Sequence, residues 1–147
     1  MNPGNHESEL KLIQVGAKAL SLRVYDVVRS VSQQGQAVLC DQIRADAHSV
    51  MSFLKDAGMA PNQRMQCTYI GVAEDKINCL AQNLEAARQK DLLDSGVVDE
   101  LVEQSRILLK EIDQVLRNIA QDSRITCLID EYETLWASKS NLRFRVG

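Results

Sequence analysis

Apolar residues recur along this chain at steps of three and four from Leu10 to Ile119, and the pattern breaks only at a few turn signals. Leu10, Ile13, Ala17, Leu20, Val24, Val27 and Val31 form the first run. Such spacing puts about one residue per turn on one side of an α-helix. It predicts a helix over 8–33, with Ser8 as N-cap, Glu9 near the positive end and Gly35 as a left-handed terminator. Leu39, Ile43, Ala47, Val50, Leu54 and Ala57 predict a second helix over 36–57, stopped by Gly58 and Pro61. Met65, Tyr69, Val72, Ala73, Ile77, Leu80, Leu84 and Ala87 predict a third over 61–90. Pro61 suits its first turn, where a missing N–H costs nothing, and Arg88 and Lys90 suit its last. After a linker over 91–96, Ser95 is the expected cap of a fourth helix, with Asp99 and Glu100 in its opening turn. Its seam is Val98, Leu101, Ser105, Leu108, Ile112, Val115 and Ile119.

Four such seams joined by short connections predict an all-α fold, an antiparallel up-down four-helix bundle. Beyond Ala120 the pattern resets. Asp122 or Ser123 caps a new helix or marks a bend, and Ile125, Leu128, Ile129, Tyr132, Leu135 and Trp136 then form one apolar stripe. The expected layout is a bundle over 1–121 with an additional C-terminal helix and basic tail over 122–147. That extension is either part of the same domain or an oligomerisation element.

Composition supports the helical reading. Aromatic residues are 4% of the chain, so the core is one of Leu, Val, Ile and Ala, and only two prolines interrupt it. A length of 147 residues suits one domain that folds without disulfides or metal. Cys40, Cys67, Cys79 and Cys127 form no close pair and read as small buried or half-buried hydrophobes in a reducing compartment. Residues 1–8 are polar and read as a frayed end, no secretory signal is visible, and no apolar stretch approaches membrane-spanning length. A soluble cytoplasmic protein is expected.

Candidate chemistry is sparse. Helical bundles that hold paired metals use Glu-x-x-His, and no such motif occurs here. His6 falls in the expected tail, leaving His48 as the one helical imidazole, read as a boundary residue with a hydrogen bond. A catalytic triad lacks its parts, and no phosphate-cradling glycine loop occurs. The expectation is a non-enzyme with no cofactor, no metal and no small-molecule substrate.

Charge directs attention to the surface. The net charge of −3 opposes a whole-surface nucleic-acid binder but allows a local basic patch. The fourth helix is acid-rich through Asp99, Glu100, Glu103, Glu111 and Asp113, whereas the first leans positive through Lys11, Lys18, Arg23 and Arg29. These read either as an ordinary solvated surface or as unlike faces that meet between subunits. The stripe of Tyr132, Leu135 and Trp136 either folds back on its own bundle or buries against a partner. The tail over 138–147 adds Lys139, Arg143 and Arg145 with no acid, a set able to touch phosphate or an acidic protein.

The second helix carries Asp41-Gln42-Ile43-Arg44-Ala45-Asp46-Ala47-His48-Ser49-Val50. This stretch resembles the Asp-Gln-hydrophobic-Arg-Arg-Ala-Ala-x-Ser-Ile segment of a bacterial four-helix-bundle superfamily, with Ala45 in place of the second arginine. That superfamily includes proteins encoded in intervening sequences of 23S ribosomal RNA genes and the accessory variability determinant of diversity-generating retroelements. Arg64, Gln66, Leu80 and Ala87, followed by the linker over 92–95 and a long amphipathic helix, are similar in layout to the accessory type. The resemblance implies a homo-oligomer, a ring of five bundles, that supports a reverse transcriptase and its structured RNA without doing chemistry. It places Arg44 and Arg64 where the family has basic residues, as nucleic-acid-binding candidates, and either residue reads equally as half of a helix-surface ion pair. The alternative expectation is a protein-interaction scaffold with no nucleic-acid role.

Overall fold

The computed structural model describes residues 6–31 and 37–130, with 123–130 described as backbone. Its elements are α1 (Glu7–Arg29), α2 (Ala37–Gly58), α3 (Gln63–Gln89) and α4 (Ser95–Asp130), with no strand among the described residues. The described residues up to Val115 form one compact unit, the four-helix bundle, and those from Leu116 onward belong to a second, where they are helical.

The helices alternate in direction. The start of α1 meets the end of α2, where the Gln14 side chain donates to the Leu54 carbonyl at 2.9 Å. The end of α2 meets the start of α3, where Gln66 donates to the Ala57 carbonyl at 3.2 Å. The end of α3 meets the start of α4 through Arg88 and Asp99 at 2.9 Å. The end of α1 meets that same start of α4 through Arg23 and Glu100. The up-down order closes on itself, as the sequence predicts.

The core is the set of seams. Ile13, Leu20, Val24, Ile43, Leu54, Ile77, Leu80, Leu84, Leu101 and Ile112 are all essentially sealed from solvent. Each such side chain contributes about 1.5–3 kcal/mol over its exposed state. On α3 the seam differs at its start. Ile70 is buried, while Met65, Tyr69 and Val72 are half-exposed. Tyr69 instead lies beside Phe53 of α2, ring centroids 6.3 Å apart.

Helix ends depart from expectation where a nearby polar side chain competes for the cap. Helix α1 begins at Glu7, so Ser8 lies inside it and His6 holds the N-cap position without a side-chain cap bond. His6 is not in a frayed tail. It is buried, with Nδ1 3.2 Å from the Glu9 carboxylate. Gly35 lies outside the described residues. Pro61 precedes α3 rather than opening it. Asn62 is the N-cap, its side chain accepting from the Met65 amide at 2.8 Å, because an extended Asn binds an orphan N–H that Pro cannot. At α4, Asp94 rather than Ser95 receives the orphan amide, its Oδ2 accepting from Gly96 at 3.1 Å. Asp99 and Glu100 lie past the opening turn and serve as ion-pair acceptors.

The α3–α4 turn is a Schellman motif. Leu92 N–H donates to the Ala87 carbonyl at 2.9 Å and Asp91 N–H to that of Arg88 at 3.0 Å. The left-handed residue is Asp91, φ 57°, where glycine is the usual choice.

Neither Asp122 nor Ser123 caps a new helix, since α4 runs on to Asp130. Neither residue forbids helix and neither Gly nor Pro lies near. The pattern reset changes which face is apolar, and the backbone ladder is indifferent to that.

A candidate interaction surface on the first two helices

Helix α1 has two apolar faces. The inner one is the core seam. The outer one is Leu12, Val15, Ala19 and Leu22, again at steps of three, four and three, and all four residues are exposed. Leu12, Val15 and Leu22 keep 68%, 66% and 58% of their surface in water. Isolated exposed leucines need no explanation, but a run with helical register is a docking face in form. Ile107 of α4, 46% exposed, adds to the apolar outside of the bundle.

Beside this stripe, α1 and α2 enclose an open groove of ≈ 590 Å³ lined by Ser21, Leu22, Tyr25, Asp41, Arg44, Ala45 and His48. Two guanidinium groups lie near the Tyr25 ring, Arg29 Cζ 5.6 Å and Arg44 Cζ 5.9 Å from its centroid. Both cations also hold a carboxylate, Arg29 with Asp26 at 3.4 Å and Arg44 with Asp41 at 2.8 Å. The groove therefore offers an aromatic ring and the Arg44 guanidinium with little excess charge. His48 lies exposed in it rather than at a hydrogen-bonded boundary.

The sequence-predicted basic residues do not converge. Arg44 is on the outer face of mid-α2, whereas Arg64 is in the first turn of α3, exposed and without an ion-pair partner among the described residues. The helical rise from position 44 to the end of α2 alone separates their levels by about 20 Å. Lys139, Arg143 and Arg145, and the partner stripe of Tyr132, Leu135 and Trp136, lie outside the described residues.

Part of the charge contrast between α1 and α4 is satisfied within the bundle. Arg23 grips Glu100 with two bonds of 2.8 Å, and the guanidinium holds the Glu100 carboxyl below its usual range. Arg88 grips Glu85 and Asp99. On the α3–α4 side, burial and the neighbouring acids Asp113 and Asp75 raise Glu74.

One carboxylate is internal. Asp46 of α2, 2% exposed, accepts from Gln42 at 3.0 Å and from Asn83 of α3 at 2.8 Å. Ser105 is also buried and satisfied, donating to the Leu101 carbonyl at 2.8 Å. Among the described residues no group of three or more His, Cys, Asp or Glu is placed to hold a metal ion. Cys40 is buried and Cys67 half-buried, and desolvation pushes both thiols up, away from reactivity. Cys79 is exposed, contrary to the expectation for all four cysteines. No described helix is long and apolar enough to cross a membrane.

No family model matches the chain, and no curated protein sequence matches it. A solved structure does. It is a protein of unknown function from the S23 ribosomal protein family of Bacteroides thetaiotaomicron. The similarity has a TM-score of 0.70 at 14% identity and covers 74% of this chain and 98% of that one. At that identity the likeness establishes the fold alone, a four-helix bundle shared with a member of a ribosomal-protein family.

Proposed function

We propose that this protein is a non-catalytic accessory bundle that self-associates and binds structured RNA, alone or together with a reverse transcriptase of the retroelement type. The observation that carries the reading is the α1–α2 groove lined by Tyr25 and Arg44, whose guanidinium lies over the Tyr25 ring, with that of Arg29 also near it. Unpaired RNA bases stack on aromatic and guanidinium planes while phosphates take arginine donors. The second-helix stretch containing Arg44 and the S23 ribosomal-protein family of the structural neighbour support the same direction. The interior supports it as well, since the apolar residues and the internal carboxylate are engaged in holding the bundle.

The test is RNA affinity at two salt concentrations, with and without a reverse transcriptase. Binding should weaken with salt, and Arg44→Ala should reduce the salt slope by about one. Tyr25→Ala should weaken binding with the slope unchanged. Absence of binding in every combination removes the reading.

A protein scaffold with no nucleic acid is the second reading, favoured by the pairing of Arg29 and Arg44 with Asp26 and Asp41. It predicts assembly insensitive to RNase and a protein partner lost on Trp136→Ala.

A further inference from the structure

Tyr25 and Arg44 lie on a seam between α1 and α2 that holds a second recess farther along. This one, of ≈ 430 Å³, opens where α1 starts and α2 ends, with Lys11 on its α1 wall and Lys55 on its α2 wall. Gln14 meets Leu54 as Tyr25 meets Arg44, so the two recesses share one line along the antiparallel pair. Lys18 falls between them, four residues past Gln14 and three before Ser21, each of which lines a recess. Lys11, Lys18 and Lys55 are all exposed and make no ion pair among the described residues. The C-terminal end of α2 would by itself repel an anion. Here the Gln14 and Gln66 amides donate to the Leu54 and Ala57 carbonyls and cover two acceptors at that end. Gly58 allows it, since a Cβ there would stand 2.8 Å from Gln14 Nε2. Acids on the seam are fewer than bases. Asp26 and Asp41 are matched by Arg29 and Arg44. Glu7, exposed at the start of α1, has no ion-pair partner among the described residues. Asp56 lines neither recess. The seam is therefore net positive on a chain of charge −3, while α4 holds an excess of acids.

From this alignment we infer that the seam is a track for a single strand of RNA, with one unpaired base against Tyr25 and the phosphates beyond it on Lys18 and then on Lys11 and Lys55. The inference rests on the RNA reading above and gives it a path and a length. The Tyr25 ring, 46% exposed, offers a face on which a base stacks. A duplex keeps its bases stacked on one another and presents none to the ring, so the strand is unpaired there. From Tyr25 back to Lys11 the helix rises about 20 Å. A strand covers that in about six nucleotides at stacked spacing and in fewer when extended. The lysines are point charges that hold backbone and read no sequence. Glu7 closes the track, since it sets a carboxylate beside the last phosphate.

The experiment is fluorescence anisotropy of the full-length chain with labelled oligouridylates of about three to twelve nucleotides, at low and moderate salt. Circular dichroism confirms that each variant is folded. Affinity should climb to a length of about six nucleotides and then level off. Lys11→Gln with Lys55→Gln should weaken binding by about tenfold and lower the salt slope by about 1.4, and Lys18→Gln should lower it by about half as much. Glu7→Gln should tighten binding. Lys110→Gln, which removes the same charge from α4, should change neither affinity nor slope. A duplex of equal length should bind less tightly. Lysine variants that keep wild-type affinity while Tyr25→Ala and Arg44→Ala lose it overturn the track and leave the RNA reading standing. Equal binding of the duplex overturns the track, as does a Lys110 variant as weak as the seam variants. Absence of binding by the chain alone overturns the track too, and the RNA reading falls with it only if adding a reverse transcriptase restores nothing.

Discussion

The seam between α2 and α3 and the seam between α1 and α4 use polar residues in opposite ways. Between α2 and α3 lies a carboxylate, Asp46, almost sealed from water and satisfied by two neutral amides. Between α1 and α4 the polar contact is a bidentate ion pair, Arg23–Glu100, with both side chains more than a third exposed. The drawn geometry of the second is the stronger, yet the first matters more to stability. Water already solvates the exposed pair and would solvate its separated partners, so little is lost on breaking it. The buried carboxylate has no such alternative, and losing one amide leaves an acceptor desolvated and unmet.

Breaking the buried side should give the largest effect. Asn83→Leu removes the cross-helix donor to Asp46 and should cost about 2–3 kcal/mol in urea unfolding. Replacing both partners, Asp46→Leu with Asn83→Leu, should return the protein to near wild-type stability or above, since an apolar pair needs no hydrogen bonds. If the double variant is as weak as the single one, the network specifies the α2–α3 register rather than merely satisfying itself.

The α4 side can be sharpened through its connection. Asp91→Gly relieves the left-handed residue of the Schellman turn and should raise stability by about 1 kcal/mol, visible as a shifted thermal midpoint. The exposed pair should show the smallest effect. Arg23→Gln should lower the midpoint slightly at low salt and less at high salt. Its pH dependence has a fixed sign. Glu100 titrates below its usual range in the folded state, so its contribution is complete above the ordinary glutamate range and fades as pH falls through the lowered value. The gap between wild type and Arg23→Gln should close on acidification. Glu74 runs the other way, because its carboxyl is raised by burial and neighbouring acids. Glu74→Gln should therefore be stabilising at neutral pH, with an advantage that disappears in acid.

The helices and their inner faces were legible because burial on one side of a helix writes a period that survives in a single sequence. Ile43, Leu80, Leu101 and Ile112 were placed in the core from spacing alone. Caps were less legible. Ser8 and Ser95 were reasonable choices, but Asp94 and Asn62 stood one position from the expected starts. A one-residue shift moves the cap without altering the seam. The surface stripe at Leu12, Val15, Ala19 and Leu22 had a signal in the same helix, a second run at three and four, hidden beneath the stronger core run. The Tyr25 groove had none, since Tyr25 and Arg44 are nineteen positions apart and meet only because α2 lies back along α1.

The sequence by itself determined that this is a bundle of four helices, which faces close the core and that the chain is mildly acidic. Only the tertiary structure decided which charges are satisfied inside one copy, at Arg23 and Glu100, and which gather along one seam of the surface, at Lys11, Lys18 and Lys55. The physical reason is range. Periodic burial is a local property that each helix records along its own length, whereas the pairing of charges depends on which helices become neighbours and at what level.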